Sequence, residues 1–335
     1  MSKVLVTGAT GFVGSALVRA LLQREHEVHV LVRQRGPRFP NLENLPVQAH
    51  HGDIQFKEGL AAAMQGIEIV YHAAAVYQFF PWWQKEAPAI HKINIQGTQN
   101  VLDCAKKAGV KRLVYTSSVV TIGKNKRGAY STEETRLHLE EDASHYARTK
   151  QEAERLVLEE ARKGFPAVVV NPGIVMGARD SKPTPSGEVI VKFLNGVYPG
   201  YFDTIWCVAD VDDVAQGHMA AAEKGRIGER YILCDKEHYS MRDLFKILEK
   251  ISGVKAPFLK LPYPVLQAFV YADEWSIQWI KHRPLMPSDG LKFCRSFLMC
   301  DNAKAVRELG YQTTPIERTL EKAVRWFREQ GYTGK

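Results

Sequence analysis

The chain has 335 residues, 45% of them apolar and 24% charged, and a formal net charge of +8 at pH 7. This composition excludes a fibrous or disordered chain and provides enough apolar residues for two domains or one enlarged domain. The basic residues are spread along the sequence without a long run or a nucleic-acid-reading module, so we expect no nucleic-acid partner. Five scattered cysteines without metal-ligand spacing predict reduced thiols, no metal site and a cytoplasmic protein.

The N-terminal segment alternates between strand and helix from the third residue onward. A strand is predicted over residues 3–6 and an amphipathic helix over residues 12–22, followed by a second strand over residues 26–32. Because the first strand begins so early, we expect no signal peptide. No uncharged apolar run in the sequence is long enough to span a membrane, so we expect no membrane span.

Three glycines at intervals of three residues connect the first strand to the first helix. Gly8 would let the strand turn sharply, Gly11 would leave room for a pyrophosphate, and Gly14 would let the helix pack against the sheet. The helix would then direct its N-terminal amides and the positive end of its dipole at the phosphates. This context predicts a dinucleotide-binding site rather than a glycine-rich turn that binds nothing.

The second strand leads into a basic segment. Arg33, Arg35 and Arg38 stand where a cofactor without a 2′-phosphate would usually meet an acidic residue on its ribose. A charge-assisted contact between a guanidinium group and a 2′-phosphate contributes roughly 1.5–3 kcal/mol, enough to favour NADPH over NADH by more than tenfold. We therefore predict NADPH as the cofactor, with NAD as the alternative. A basic surface loop would give the same pattern.

Apolar strands continue to alternate with amphipathic helices up to residue 172, which is typical of a doubly wound parallel sheet. We predict an α/β fold in which residues 1–172 form a Rossmann domain with helices on both faces of the sheet. Residues 173–335 are predicted mainly to build the substrate pocket, with 205–235 returning to the Rossmann sheet. The further predicted strands cover 47–50, 67–72, 112–116 and 167–170, and the helices cover 56–64, 87–108, 144–163, 211–223, 241–253 and 315–330.

A tyrosine and a lysine four residues apart lie near the start of the helix predicted over residues 144–163. The i, i+4 spacing places the Tyr146 phenol and the Lys150 ammonium on one helix face. Such a pair often occurs by chance. This pair, however, follows a strand that ends in Ser117 and Ser118, at the edge where open parallel sheets bind ligands. The position therefore favours a catalytic role.

The order and separation of these motifs resemble those of the extended short-chain dehydrogenase/reductase family. The resemblance implies an NAD(P)-binding Rossmann domain and a smaller C-terminal α/β substrate domain. It also implies a homodimer joined through the helices over 87–108 and 144–163. The motifs that carry it are Gly8-x-x-Gly11-x-x-Gly14, Asp53 after the third strand, Ala73-Ala-Ala75 after the fourth, Asn94, Ser118 and the Tyr146/Lys150 pair.

The same resemblance implies a role for each motif. Tyr146 would be the general acid/base, Lys150 would bind the nicotinamide ribose, and Ser118 would hydrogen-bond to the substrate oxygen. A free phenol has a pKa of about 10, and we expect Lys150 and the positive nicotinamide ring to favour the phenolate. The residues placed around the cofactor are Thr10, Gly11, Phe12 and Val13 at the pyrophosphate, Asp53 and Ile54 at the adenine, Ala73, Ala74 and Ala75 at the ribose, and Pro172 to Val175 at the nicotinamide.

Within this family the chain most resembles the dihydroflavonol 4-reductase-like group and the hopanoid-associated sugar epimerases. The resemblance rests on Leu31-Val-Arg33, Thr116-Ser-Ser118 and Val211-Asp-Asp213. Both groups begin with hydride transfer, but a reductase releases an alcohol, whereas an epimerase reduces its own keto intermediate again. Many nucleotide-sugar epimerases carry an arginine for the substrate diphosphate just before the Val-Asp-Asp motif, and here that stretch reads Trp206-Cys-Val-Ala-Asp210.

Aromatic residues are concentrated in stretches that the resemblance places near the substrate. They would form a wall for a flat or hydrophobic carbonyl compound, or they would be ordinary core residues. Asn171 resembles an asparagine that epimerases use near the substrate diphosphate. The aromatic residues are Tyr77, Phe79, Phe80, Trp82, Trp83, Tyr201, Phe202 and Trp206.

We therefore predict an NADPH-dependent reductase of an aldehyde or ketone, whose partner is a small carbonyl or alcohol substrate. The alternatives are a nucleotide-sugar epimerase or dehydratase with tightly bound NAD(P), and a non-catalytic regulator that senses NADP(H). His72 and His91 are not expected to be metal ligands. His72 ends an apolar strand without spaced partner ligands, which favours a hydrogen-bonded core histidine.

The apolar segment 261–271 has two interpretations. It is apolar enough for a helix that lies on a membrane surface or a partner protein, and also for a substrate-domain helix packed in a core. We favour the core helix, and only an exposed apolar face would favour the first interpretation.

Overall fold

The structure, a computed structural model, describes residues 1–33, 39–77, 90–125, 129–135, 144–277, 279–280, 284, 286–294 and 299–333. The strands are β1 (Lys3–Thr7), β2 (Glu27–Val32), β3 (Gln48–His51), β4 (Ile69–His72), β5 (Arg112–Thr116), β6 (Ala167–Pro172), β7 (Ile174–Met176), β8 (Ile205–Trp206), β9 (Val208–Asp210), β10 (Arg230–Leu233) and β11 (Tyr239–Ser240). The helices are α1 (Phe12–Gln23), α2 (Lys57–Ala63), α3 (Gly97–Lys107), α4 (His145–Arg162), α5 (Pro185–Leu194), α6 (Val211–Lys224), α7 (Met241–Ser252), α8 (Tyr263–Ser276), α9 (Ser288–Cys294), α10 (Ala303–Leu309) and α11 (Ile316–Glu329).

The main sheet has seven parallel strands in the order β10-β6-β5-β4-β1-β2-β3. The direction of this order reverses between β1 and β4, where a crevice opens at the carboxyl ends of the strands. The predicted doubly wound α/β fold is therefore confirmed.

Residues of β1 alternate between the two faces of the sheet. Val4 and Val6 pack with α1 and α6 on one face, while Leu5 packs with α2, α3 and α4 on the other. Because helices cover both faces, the strand is apolar at every one of these positions. This double burial explains why the sequence shows short apolar runs instead of an alternation of apolar and polar residues.

The C-terminal half adds a second core beside the Rossmann sheet. β7 pairs with β9 and β8 pairs with β11 in two small sheets of their own. Phe193, Phe245 and Phe327, from α5, α7 and α11, are buried in a separate apolar cluster. β10 pairs with β6 in the main sheet, and α6 packs against α1, so part of 205–235 lies in the Rossmann layer.

Two predicted helices differ from the structure. The helix predicted over 87–108 begins outside the described residues; within them, one π-helical turn over Lys92–Gln96 precedes α3. The segment 261–271 does form a helix, α8, but our preference for a core helix was wrong, because Val265 and Phe269 are each more than half exposed. No helix within the described ranges combines the length and the apolar composition needed to cross a membrane.

Candidate active site

The glycine turn between β1 and α1 is too tight for side chains at two of its three glycines. Gly8 has a positive φ of 76°, and a Cβ there would lie 2.6 Å from the Ala74 nitrogen. A Cβ on Gly14 would lie 2.2 Å from the Gly8 oxygen, so the absence of a side chain lets α1 pack against the turn. Gly11, the N-cap residue of α1, has no side chain that could cap the helix. Its first amides therefore remain available to an anion such as a pyrophosphate, which fits a dinucleotide.

A cleft of about 590 Å³ opens at the carboxyl ends of the parallel strands, in front of this turn. It brings together predicted residues from five separate strand ends. Arg33 is exposed at one end of the cleft, and Tyr146 and Lys150 lie in its wall. The other predicted residues that line the cleft are Gly8, Thr10, Gly11, Phe12, Val13, Gly14, Ala73, Ala75, Tyr77, Ser118, Pro172 and Val175.

Several predicted cofactor residues do not line this cleft or are not described. Asp53 is half-buried, and its carboxylate accepts hydrogen bonds from the amide and side chain of Gln55. Ile54 is buried against Gly97. Ala74 supports Gly8 from behind through its backbone. Six predicted residues lie outside the described residues: Arg35, Arg38, Phe79, Phe80, Trp82 and Trp83.

The side chains of Tyr146 and Ser118 both line the cleft, and the Ser118 hydroxyl acts on the Tyr146 phenol. Ser118 lies at the end of β5, where its hydroxyl also accepts a hydrogen bond from the Val120 amide. Burial raises the pKa of Tyr146 to about 12, and the Ser118 hydroxyl lowers it in part. Among the protein's own residues burial therefore dominates, and the lowering of this pKa by Lys150 and a bound nicotinamide ring stays a prediction.

Lys150 is buried one helical turn after Tyr146. Its Nζ donates hydrogen bonds to the Thr116 carbonyl at 2.6 Å and the Tyr115 hydroxyl at 3.3 Å. It also lies 4.8 Å from the centre of the Tyr115 ring, a distance that allows a cation–π contact. Burial lowers its pKa to about 7, although the Glu154 carboxylate favours the charged form. These contacts hold the ammonium at the end of β5, inside the wall of the cleft.

An apolar pocket adjoins the cofactor cleft and shares Tyr77 with it. Phe202 and Trp206, both predicted substrate residues, line this pocket of about 80 Å³. The buried indole Nε1 of Trp206 has no hydrogen-bond partner within the part of the chain that the structure describes. The pocket is therefore apolar in most of its wall but holds one unused donor.

Two predicted substrate residues lie away from both cavities. The Asn171 amide is completely buried and donates hydrogen bonds to the Ser118 carbonyl and the Thr121 hydroxyl at 3.1 and 2.9 Å. Tyr201 lies under the Arg242 guanidinium, 5.8 Å from its ring centre, and pairs through its backbone with the loop before α8. Asn171 thus supports the Ser118 turn from behind instead of facing the cleft.

Sequence reasoning did not select Asn41, Asp180 or Phe293, which also line the cleft. Asp180 is buried, and its carboxylate accepts hydrogen bonds from the amide and hydroxyl of Thr184 at 2.8 and 2.7 Å. Burial raises its pKa to about 6. Thr184 followed by Pro185 is a helix-start signal, but no local pattern places that start beside the cofactor.

Three cysteines that are distant in sequence meet behind the site. The ligand atoms of Cys207, Cys234 and His238 lie within 4.8 Å of one another, and Cys300 belongs to the same buried apolar cluster as the other two cysteines. Sequence spacing did not predict this cluster. The Nε2 of His238 already accepts a hydrogen bond from the Cys300 amide at 3.0 Å, and the Cys234 thiol donates to the Cys300 carbonyl at 3.8 Å. The imidazole and the Cys234 thiol thus both contact the Cys300 backbone, and we assign no metal to the cluster.

The two histidines considered in the sequence have different environments. His72 is buried, with its ring nitrogens hydrogen-bonded to Thr7 and Thr98 at 2.7 and 3.1 Å. Burial lowers its pKa to about 3, so the ring is neutral. His91 is exposed and lies 3.8 Å from the Glu152 carboxylate. His72 is therefore the hydrogen-bonded core histidine that the sequence predicted.

The glycine turn and the cleft at the strand ends are consistent with the family to which the sequence is similar. The sequence profile of the NAD dependent epimerase/dehydratase family matches residues 4–234, which is more than half of the chain. The chain belongs to the NAD-dependent epimerase/dehydratase family. This family membership confirms the predicted resemblance to extended short-chain dehydrogenases/reductases, and the protein is an NAD(P)-dependent enzyme of the oxidoreductase type.

Curated relatives in this family match the chain over nearly its whole length. A putative dihydroflavonol 4-reductase from Synechocystis sp. is 39% identical over 331 residues, covering 98% of this chain and 95% of that protein. Sterol demethylase protein B from Methylococcus capsulatus is 32% identical and covers 98% of both chains. A 4-hydroxy-2-methyl-3-oxo-4-farnesyl-3,4-dihydroquinoline-1-oxide ketoreductase from Stigmatella aurantiaca is 29% identical, covering 92% of this chain and 91% of that one.

Solved structures show the same family fold. The crystal structure of gox2253 superposes with a TM-score of 0.85 at 36% identity and covers 100% of both chains. The UDP-glucuronic acid 4-epimerase from Bacillus cereus, in complex with UDP-glucuronic acid and NAD, has a TM-score of 0.78 at 25% identity and covers 98% of this chain and 99% of that chain. The family thus includes both reductases and epimerases.

Proposed function

We propose that the protein is an NADPH-dependent reductase of a hydrophobic ketone or aldehyde. The observation that carries this proposal is the apolar pocket beside Tyr146 and Ser118. The curated relatives support it, because their names refer to a dihydroflavonol, a sterol and a farnesylated ketone. Each of these compounds is flat or hydrophobic and therefore suits a pocket with a mostly apolar and aromatic lining.

The lining of the pocket is poorly suited to a substrate diphosphate. Its only cation among the described residues is Lys192, and that ammonium donates to the Glu188 carboxylate at 3.1 Å. A diphosphate would instead call for a free arginine or several amide donors. The apolar and aromatic residues of the lining are Tyr77, Ile174, Val189, Tyr198, Phe202, Trp206, Met241, Met286 and Phe293.

When bound, NADPH would supply the hydride that adds to the carbonyl carbon of the substrate. Tyr146 would then donate its phenolic proton to the carbonyl oxygen, so that an alcohol forms. Because its pKa is raised to about 12, the phenol carries its proton at neutral pH, which is the form that a proton donor needs.

Ser118 and Lys150 would prepare this proton transfer. Ser118 lines the cleft together with Tyr146, so its hydroxyl would hydrogen-bond to the same substrate oxygen. Lys150, held by the Thr116 carbonyl, would bind the nicotinamide ribose and bring positive charge close to Tyr146. That charge would stabilise the phenolate that remains on Tyr146 after the proton has been transferred.

The preference for NADPH rests on Arg33. Its side chain is exposed at the end of β2 and borders the cofactor cleft. The only carboxylate among the described lining residues is Asp180, and its oxygen already accepts two hydrogen bonds from Thr184. A guanidinium group at this position favours a 2′-phosphate.

The test is a screen of hydrophobic ketones, aldehydes and sugar nucleotides, in which NADPH oxidation is followed by absorbance. Tyr146→Phe removes the proton donor, and Tyr130→Phe, at an exposed position outside the cleft, is the matched control. We expect a carbonyl compound to be reduced by the wild type and by Tyr130→Phe, and not by Tyr146→Phe. NADH should react more slowly, and Arg33→Ser should reduce that difference.

An epimerase is the second candidate, because the structural likeness to a UDP-glucuronic acid 4-epimerase covers nearly the whole chain. It would change the configuration of a sugar nucleotide without net oxidation of NADPH, and that result would overturn the reductase. Binding of NADP(H) without turnover of any compound, unchanged in Tyr146→Phe, would indicate a regulator.

A further inference from the structure

The helix α8 exposes an apolar face to solvent. Five apolar residues of this helix are exposed, and each lies three or four residues from another of the five. They are Val265, Ala268, Phe269, Ala272 and Trp275. These intervals match the helical repeat, so the five side chains lie along one side of the helix. We call them the outer face of α8.

The opposite side of α8 buries the polar group of an acidic residue. Glu274 is completely buried, and its carboxylate accepts a hydrogen bond from the Ser288 amide at 2.6 Å. Val270, one turn earlier, is also buried. The helix thus places a carboxylate inward beside Val270 and Leu266, while larger apolar side chains such as Phe269 and Trp275 face outward. Because exposed apolar area is unfavourable in water, this arrangement indicates a surface that is covered in use.

The apolar surface continues along the chain on both sides of the helix. Phe258, in the loop before α8, is 94% exposed, and Trp279, after its end, is 75% exposed. Leu259 and Ile280 are exposed as well. The exposed apolar residues therefore occupy one continuous stretch of sequence, and Trp275 and Trp279 contact each other with ring centres 6.1 Å apart.

Basic residues flank this stretch. Lys255 and Lys260 precede α8, and Lys281, His282 and Arg283 follow Ile280 directly in the sequence. The acidic residues between them are Asp273 and the buried Glu274. Lys260 pairs with Asp203 at 2.9 Å, which compensates part of this charge. An apolar stretch with tryptophans and flanking lysine or arginine is typical of a helix in the interface of an anionic bilayer.

The outer face lies one helix away from the proposed substrate pocket. Glu274 of α8 holds the first residue of α9, and Gly290, Phe293 and Cys294 of α9 line the pocket. Through this contact α9 connects the helix that carries the outer face to the wall of the proposed pocket. This arrangement joins the exposed face to the site of the proposed chemistry.

We propose that the outer face of α8 lies on the surface of a lipid bilayer with anionic headgroups, and that the pocket takes its hydrophobic substrate from that bilayer. The second part rests on the proposed function. A second copy of the chain is a less suitable occupant, because it would bring Lys255 and Lys260 towards the same lysines of the other copy, whereas anionic lipids neutralise them.

The test measures binding of the purified full-length protein to vesicles of phosphatidylcholine, with and without phosphatidylglycerol. Phe269→Asp puts a charge in the centre of the outer face. Val306→Asp, at an exposed apolar position of α10, is the matched control. We expect wild type and Val306→Asp to bind the anionic vesicles, and Phe269→Asp to bind them roughly tenfold less tightly or weaker still. Brominated acyl chains should quench tryptophan fluorescence in the wild type only if Trp275 and Trp279 enter the interface.

Other outcomes overturn the proposal. Failure of the wild type to bind either vesicle would do so, as would equal binding by wild type and Phe269→Asp. Dimers in solution that Phe269→Asp separates, without vesicle binding, would assign the face to a second copy. Reduction of a water-soluble carbonyl compound without vesicles tests the proposed function separately, so failure of that reaction is distinguishable from failure of membrane binding.

Discussion

The side-chain amide of Asn94 donates a hydrogen bond to the Thr149 hydroxyl at 3.1 Å and thereby joins the loop after β4 to the helix of Tyr146. The same side chain accepts from the Val76 amide at 2.8 Å and donates to the Val76 carbonyl at 3.2 Å. Tyr77 follows Val76, and its ring centre lies 4.8 Å from that of Tyr146. Asn94 therefore sets the position of the helix that carries Tyr146 relative to the pocket wall.

Replacing Asn94 with Ala should lower kcat roughly tenfold to a hundredfold, because small displacements of a reacting group have effects of that size. The KM for NADPH should change less, since Asn94 does not line the described part of the cofactor cleft. Steady-state kinetics with a substrate from the carbonyl screen would measure both constants. Gln96→Ala, at an exposed position two residues later, is the control, and an equal kcat in both variants would contradict this role.

The glycine turn predicts different effects for two alanine substitutions. Gly14→Ala should lower the free energy of unfolding by about 1–3 kcal/mol, because its Cβ would lie 2.2 Å from the Gly8 oxygen and the backbone must shift. Gly11→Ala, with a Cβ 3.2 Å from the same oxygen, should keep most of the stability but weaken NADPH binding. Urea unfolding and fluorescence titration would separate the effects. Equal stability of the two variants would contradict the packing role of Gly14.

Lys150 should make the stability of the protein depend on pH in the alkaline range. Burial lowers its pKa from 10.5 to about 7, so between these values the unfolded chain binds more protons than the folded protein. Under that condition the free energy of unfolding rises with pH. Lys150→Met should therefore reduce the rise in stability from neutral to alkaline pH in urea unfolding. Lys107→Met, at an exposed position, should leave the rise unchanged, and the same slope in all three proteins would be evidence against a buried charge.

The size of the apolar pocket should limit which carbonyl compounds react. Val189→Trp would fill part of the pocket of about 80 Å³, so KM for a bulky ketone should rise while a small aldehyde is still reduced. Val197→Trp, at an exposed position that does not line the pocket, is the control. Steady-state kinetics would measure KM for one bulky ketone and one small aldehyde with each variant. An equal change for both substrates would show that the substrate binds elsewhere.

Homodimerisation through the helices over 87–108 and 144–163 stays a prediction. The long helix α4 is packed against α3 on one side of the sheet, and both helices also present exposed residues. Light scattering of the purified protein would measure the oligomeric state. The vesicle experiment requires the same measurement, since a dimer through α8 would be a different assembly.

Short-range patterns allowed much of the site to be predicted. The Rossmann turn depends on residues only three apart, Gly8, Gly11 and Gly14, and the spacing of Tyr146 and Lys150 follows from one helix. Asn41, Asp180 and Phe293 could not be found in this way, because they come from segments that reach the cleft only when the chain folds. The effect of burial on the pKa of Tyr146 could not be found in this way either, since desolvation depends on everything packed around the phenol.

The doubly wound sheet, the glycine turn and the position of the Tyr146/Lys150 pair could be predicted from the sequence alone, because each follows from local periodicity and from the order of elements along the chain. The folded structure was needed to show which side of α8 is buried and that Cys207, Cys234 and Cys300 meet. Apolar residues along a helix show that it has an apolar face, but whether that face meets the core or the solvent depends on the neighbouring elements. Here α9 holds Glu274, and the apolar side remains outside.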